Sequence, residues 1–88
     1  MKIRYVRVNQ RPVACLVGGY HDGEPFVAKS VCSPKDNFCR RIGRDIAIGR
    51  FQHKRLSQGC RKYRSVLNQE VNNFMQYLKD KQREHSYV

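Results

Sequence analysis

Acidic residues are scarce in this chain of 88, where seven Asp and Glu stand against eighteen Lys and Arg. They are scattered singly, so no pair of carboxylates can be proposed for acid–base or two-metal chemistry. No apolar run approaches the ~18 residues that a membrane-spanning helix requires, and no membrane partner is expected. The four cysteines, Cys15, Cys32, Cys39 and Cys60, form no C-x-x-C knuckle, and with His21 and His53 they lack the spacing of a zinc site. Gly18-Gly19 belongs to neither G-x-x-x-x-G-K-[ST] nor G-x-G-x-x-G, so no phosphate loop is present. No cysteine is set beside a histidine in a nucleophilic pattern. An enzyme is not expected, nor a metal or cofactor.

What the chain does have is positive charge, +11 with a pI near 10.0. Such an excess repels itself across a small surface unless an anionic partner offsets it. The length fits one domain, 1–88, and a composition of 40% hydrophobic and 28% charged residues fits a folded chain. The start, Met1 to Val8, interleaves charged and apolar residues and lacks a small-residue cleavage site, so export is not expected. The cysteines then read as reduced thiols in a cytoplasm.

The first third reads as strands, spanning about 2–32. Ile3, Tyr5 or Val6, and Val8 alternate loosely with Arg4 and Arg7. Val13-Ala14-Cys15-Leu16-Val17 is a β-rich run stopping at Gly18-Gly19, and Phe26 to Cys32 follows a turn cluster at His21-Asp22-Gly23-Glu24-Pro25. Asn9-Gln10-Arg11 is a second turn candidate, giving an antiparallel meander of two or three strands.

Ser33-Pro34-Lys35-Asp36 sets a hydroxyl, a proline and an acid where a helix start favours them, which predicts a helix over about 34–56. Steps of 100° gather Phe38, Cys39, Ile42, Ile46, Gly49 and His53 on one arc, predicted to lie on the sheet. Arg40, Arg44, Ala47, Phe51, Lys54 and Arg55 fall opposite, with Arg41 and Arg50 on the flanks, which predicts a basic outer face. Gly43 and Gly49 each cost about 1 kcal/mol against Ala inside a helix and so suggest a close backbone approach. After a break at Ser57-Gln58-Gly59, a second helix is predicted over about 60–84. Its stripe of Tyr63, Val66, Leu67, Val71, Phe74, Met75 and Leu78 suits packing on the sheet, on the first helix, or on a twin chain in a homodimer. The fold class expected is α+β: a small antiparallel sheet packed by a basic helix and followed by a long amphipathic helix.

The candidate binding residues are Arg40, Arg41, Arg44, Arg50, Lys54, Arg55, Arg61, Lys62 and Arg64, nine cations against the single acid Asp45 over 25 residues. Seven are arginines, whose planar fork suits bidentate contact with phosphate. Contact of six with phosphates would give a slope of about −5 in log affinity against log salt. Phe51 and Tyr63 interleave with these cations and fit packing better than base stacking.

The stretch from Ser30 to Arg50 reads S-x-C-x-P-K-D-x-F-x-R-x-x-G-R-x-I-A-x-G-R. In this it resembles small proteins of bacteriophages and prophages. The resemblance covers 21 residues and stops short of the second helix. It implies an accessory protein acting in the host bacterial cytoplasm. Charge and resemblance together lead to the expectation of a non-enzymatic, nucleic-acid-binding protein. Two alternatives stand beside it. One is an inhibitor, of the host-takeover or anti-defence kind, that covers an acidic or nucleic-acid-binding face of a host defence or transcription component. The other is a sponge for a phosphorylated signalling nucleotide.

Overall fold

The computed structural model describes residues 1–31, 40–55 and 63–85. Strands β1 (Lys2–Val8), β2 (Arg11–His21) and β3 (Glu24–Val31) precede helices α1 (Arg40–Gln52) and α2 (Arg64–His85). The strands form one antiparallel sheet in the order β1-β2-β3, and the fold is α+β. The predicted helix start at Ser33–Asp36, the break at Ser57–Gly59, and Phe38, Cys32, Cys39, Cys60, Arg61 and Lys62 lie outside the described residues.

Two-residue turns make the meander. Asn9 and Gln10 have φ of 51° and 67°, and Asp22 and Gly23 have 52° and 81°. Positive φ at both central residues is the turn whose twist matches a right-handed hairpin, and Asn, Asp and Gly tolerate it best. The ladders close at Val8↔Arg11 and His21↔Glu24. Register shifts between Val6 and Arg7, where Val13 of β2 is left over. This bulge lets both Val13 and Ala14 join the core on the α2 side.

β2 is covered on both faces, which explains its unbroken apolar run. Cys15 and Val17 pack with Ile3, Tyr5, Phe26 and Ala28 under Ala47 and Phe51 of α1. Ala14 and Leu16 pack with Val6, Val8 and Val27 under Leu67, Phe74 and Leu78 of α2. The sheet is thus the middle layer, with one helix on each face. The two glycines read as a strand stop instead lie inside β2, one for each helix. A Cβ on Gly18 would come within 2.6 Å of two Phe74 ring carbons, and one on Gly19 within 2.7 Å of Phe51 Cζ. Bare backbone at these two positions lets each ring lie on the sheet.

Neighbouring side chains then tie β2 to both helices. The Tyr20 hydroxyl donates to the Leu78 carbonyl at 2.6 Å, and His21 Nε2 donates to the Phe51 carbonyl at 2.5 Å. The His21 ring also lies tilted against Phe51 at 4.6 Å and meets Phe26 edge-on at 5.6 Å. Gln82 Nε2 donates to the Gly23 carbonyl, anchoring α2 to the second turn.

Helix α1 lies with its predicted faces exchanged. Gly43, Ala47 and Phe51 are buried, whereas Ile42 and Ile46 are 59% and 44% exposed. The reason is steric. The sheet face under α1 offers small residues, Ala28, Ser30 and Gly19, and a Gly–Ala ridge approaches it closely while Phe51 fills the space over Gly19. A stripe ranked by hydropathy favours isoleucine over glycine and alanine and so selects the wrong side. In α2, Leu67, Phe74 and Leu78 are buried on the sheet, so the stripe is largely taken up within the chain. Val66, expected in the same stripe, is 40% exposed.

Helix α1 ends at Gln52, earlier than the predicted residue 56. Lys54 N–H bonds to the Phe51 carbonyl at 3.2 Å and Arg55 N–H to the Arg50 carbonyl at 2.8 Å. Lys54 has φ of 53°. These are the two bonds and the left-handed residue of a Schellman cap, a position that glycine fills without steric cost. Lys54→Gly should therefore raise stability by about 1 kcal/mol. The check is a higher urea midpoint at unchanged slope; no gain would show that the left-handed geometry costs nothing here.

Candidate nucleic-acid interface

The predicted cations do not form one face. Arg40, Arg41 and Arg44 lie in the first turns of α1 and are exposed. The guanidinium of Arg40 stands 5.8 Å over the Tyr5 ring, so this arginine leans toward β1 along the sheet-facing edge of the helix. Arg44 lies along the same edge. Its Nε is 4.0 Å from Asp45 Oδ1, and its charge reaches Cys15 in the sheet. Burial pushes the Cys15 thiol up to about 11 despite the opposing pull of Arg44. At neutral pH Cys15 is therefore a protonated, apolar filler. Arg41 projects from the outer side and makes no hydrogen bond or ion pair with another described residue.

Arg50 has a different task. Its Nη1 donates to the Lys29 carbonyl at 2.9 Å, satisfying an acceptor of strand β3, which among the described residues has no neighbouring strand on its far side. Folding thus gives this arginine a structural role of its own. Lys54 and Arg55 sit in the C-terminal cap of α1, exposed, where positive charge also suits the negative end of the helix dipole. Arg64 opens α2, on the other face of the sheet from α1, so it does not join Arg40, Arg41 and Arg44.

One cation beside this rim was missed. Arg7 lies two residues beyond Tyr5 in β1 and is exposed. The two-residue period of a strand puts it on the α1 side with Ile3 and Tyr5. That period is the available signal, although the loose alternation of β1 marks Arg7 only as polar. The candidate residues on this side of the sheet are thus Arg7 on β1, Arg40, Arg41 and Arg44 on α1, and Lys54 with Arg55 at the far end, with Tyr5 under Arg40. Arg41 is close in the helix to Ile42, and Ile46 follows one turn on, so the outer side of α1 is a mixed apolar and cationic surface.

Among the described residues no three His, Cys, Asp or Glu groups converge as a metal site would require. No described helix is long and apolar enough to cross a membrane. Compared with known proteins, the chain matches no family model, no curated protein and no solved structure.

Proposed function

We propose that this is a phage-type accessory protein of the host cytoplasm that binds nucleic acid without catalysis, holding backbone phosphates on the first turns of α1. The observation that carries the reading is the exposed trio Arg40, Arg41 and Arg44. They lie within two turns of one helix, have Asp45 as their sole acidic neighbour in α1, and are not required to bury the Gly43–Ala47–Phe51 ridge. Arg40 stands over the half-buried Tyr5 ring, which keeps the first of the three beside the sheet. Phosphate contacts fix position on a strand and carry little sequence information.

The test is affinity for random-sequence duplex DNA and RNA over a range of salt. Each phosphate contact contributes about 0.9 to the slope of log affinity against log salt on a duplex. Changing Arg40, Arg41 and Arg44 together to Ala should lower that slope by about 3. An unchanged slope overturns the reading.

The exposed Ile42 and Ile46 favour a second reading. Two exposed isoleucines one turn apart, with Arg41 next to Ile42 in the helix, match an acidic protein face with an apolar centre, as an inhibitor of a host protein would require. Capture of a host protein from nuclease-treated lysate, together with no affinity for either nucleic acid, would favour it over the first.

A further inference from the structure

A second gathering of positive charge lies across the sheet from the α1 rim. Lys2 Nζ donates to the Tyr77 hydroxyl at 3.0 Å and stands 4.4 Å from that ring's centroid. The Arg4 guanidinium lies 4.5 Å over Phe74 and 4.8 Å over Tyr77. Lys81 Nζ is 5.8 Å from the same Tyr77 ring. Lys2 and Arg4 alternate with Ile3 along β1, so both point to the α2 side.

Folding explains part of this. Arg4 is half-buried and covers Phe74, and a lysine on an edge strand discourages pairing with another chain. An exposed cation over a ring also gains a little from the negative face of the ring. None of these effects requires Lys2 and Arg4 to converge on one phenol, where they also repel one another. The Tyr77 oxygen accepts from Lys2, and its proton has no acceptor among the described residues. That hydrogen bond, helped by the charges of Lys2, Lys81 and Arg4, holds the Tyr77 phenol below its ordinary value against the opposing effect of burial. An ammonium, a guanidinium and a phenol thus present donors to one region of surface, a set suited to a phosphate oxygen.

We propose that Lys2, Arg4 and Tyr77 form a second backbone-phosphate site, so that one molecule holds two nucleic-acid segments, one on each face of its sheet. The proposal rests on the nucleic-acid reading given above and adds bivalency to it. The two sites belong to different layers, α1 on one side and β1 with α2 on the other, and one straight duplex cannot lie along both.

The experiment loads the full chain onto bead-bound random duplex at low salt and then offers a second, fluorescent duplex. The unaltered protein should retain the second duplex on the beads. Lys2→Glu places a carboxylate beside the Arg4 guanidinium and the Tyr77 hydroxyl, occupying the site from within. It should load onto the first duplex within about twofold of the unaltered protein yet lose tenfold or more of the retained fluorescence. Arg11→Glu makes the same change in charge at the β1–β2 turn and should retain the second duplex. Arg4→Gln, with folding verified by circular dichroism, should reproduce the loss. Loading without capture by the unaltered protein overturns the proposal, and so does equal capture by Lys2→Glu. Failure of the unaltered protein to load at all overturns the nucleic-acid reading beneath it.

Discussion

Gly18→Val should cost about 3–5 kcal/mol, a large share of the roughly 4–13 kcal/mol that stabilises a domain of this size. Any Cβ at this position would stand 2.6 Å from two Phe74 ring carbons, and valine adds two further carbons. Overpacking a tight core costs about 1–3 kcal/mol when side chains can shift. Here the ring is fully buried between α2 and the sheet. Relief requires the ring to leave its place, a loss comparable to that of Phe→Ala, about 3–5 kcal/mol. Adding Phe74→Ala to Gly18→Val should then cost much less than it does alone, because the two positions share one volume and their effects are coupled. Urea denaturation of the two single variants and the double variant measures this. A Gly18→Val cost below 1 kcal/mol, or strictly additive costs, would contradict the packing described.

Ile42→Ser with Ile46→Ser should leave stability within about 0.5 kcal/mol, as surface substitutions do. Had these side chains faced the sheet, as their hydropathy predicts, losing both would cost at least 4 kcal/mol by comparison with large-to-small core changes. The pair therefore distinguishes the two orientations of α1 by several kcal/mol in a single melt. The same variant separates the readings of function: affinity for nucleic acid should persist, because phosphates are held by Arg40, Arg41 and Arg44. Loss of nucleic-acid affinity in a fully folded double variant would place the isoleucines inside the interface and count against a purely phosphate-directed site.

Much of the architecture was legible because it depends on local signals. Asp22-Gly23 and Asn9-Gln10 mark turns by their tolerance of positive φ, and runs of β-branched residues mark the strands between them. Two features were illegible because they depend on what lies across the fold. Gly18 and Gly19 look like strand breakers until Phe74 and Phe51 are set over them. Gly43 and Ala47 look like a weak helix side until a sheet of small residues is placed beneath. The candidate site suffered in the same way. Arginines close in sequence were grouped as one face, yet Arg50 serves the β3 edge and Arg64 lies on the other side of the sheet. Lys2 and Arg4 meet Tyr77 across more than 70 residues, a proximity that no periodicity within either segment reveals.

The position of β2 has a consequence for motion. Its amides are bonded to a strand on each side and screened from water by a helix above and another below. Partial openings at the termini or the turns leave them covered. Deuterium should therefore enter the centre of β2 last, at a rate set by global unfolding, which makes this strand an internal gauge of the stability of the whole chain.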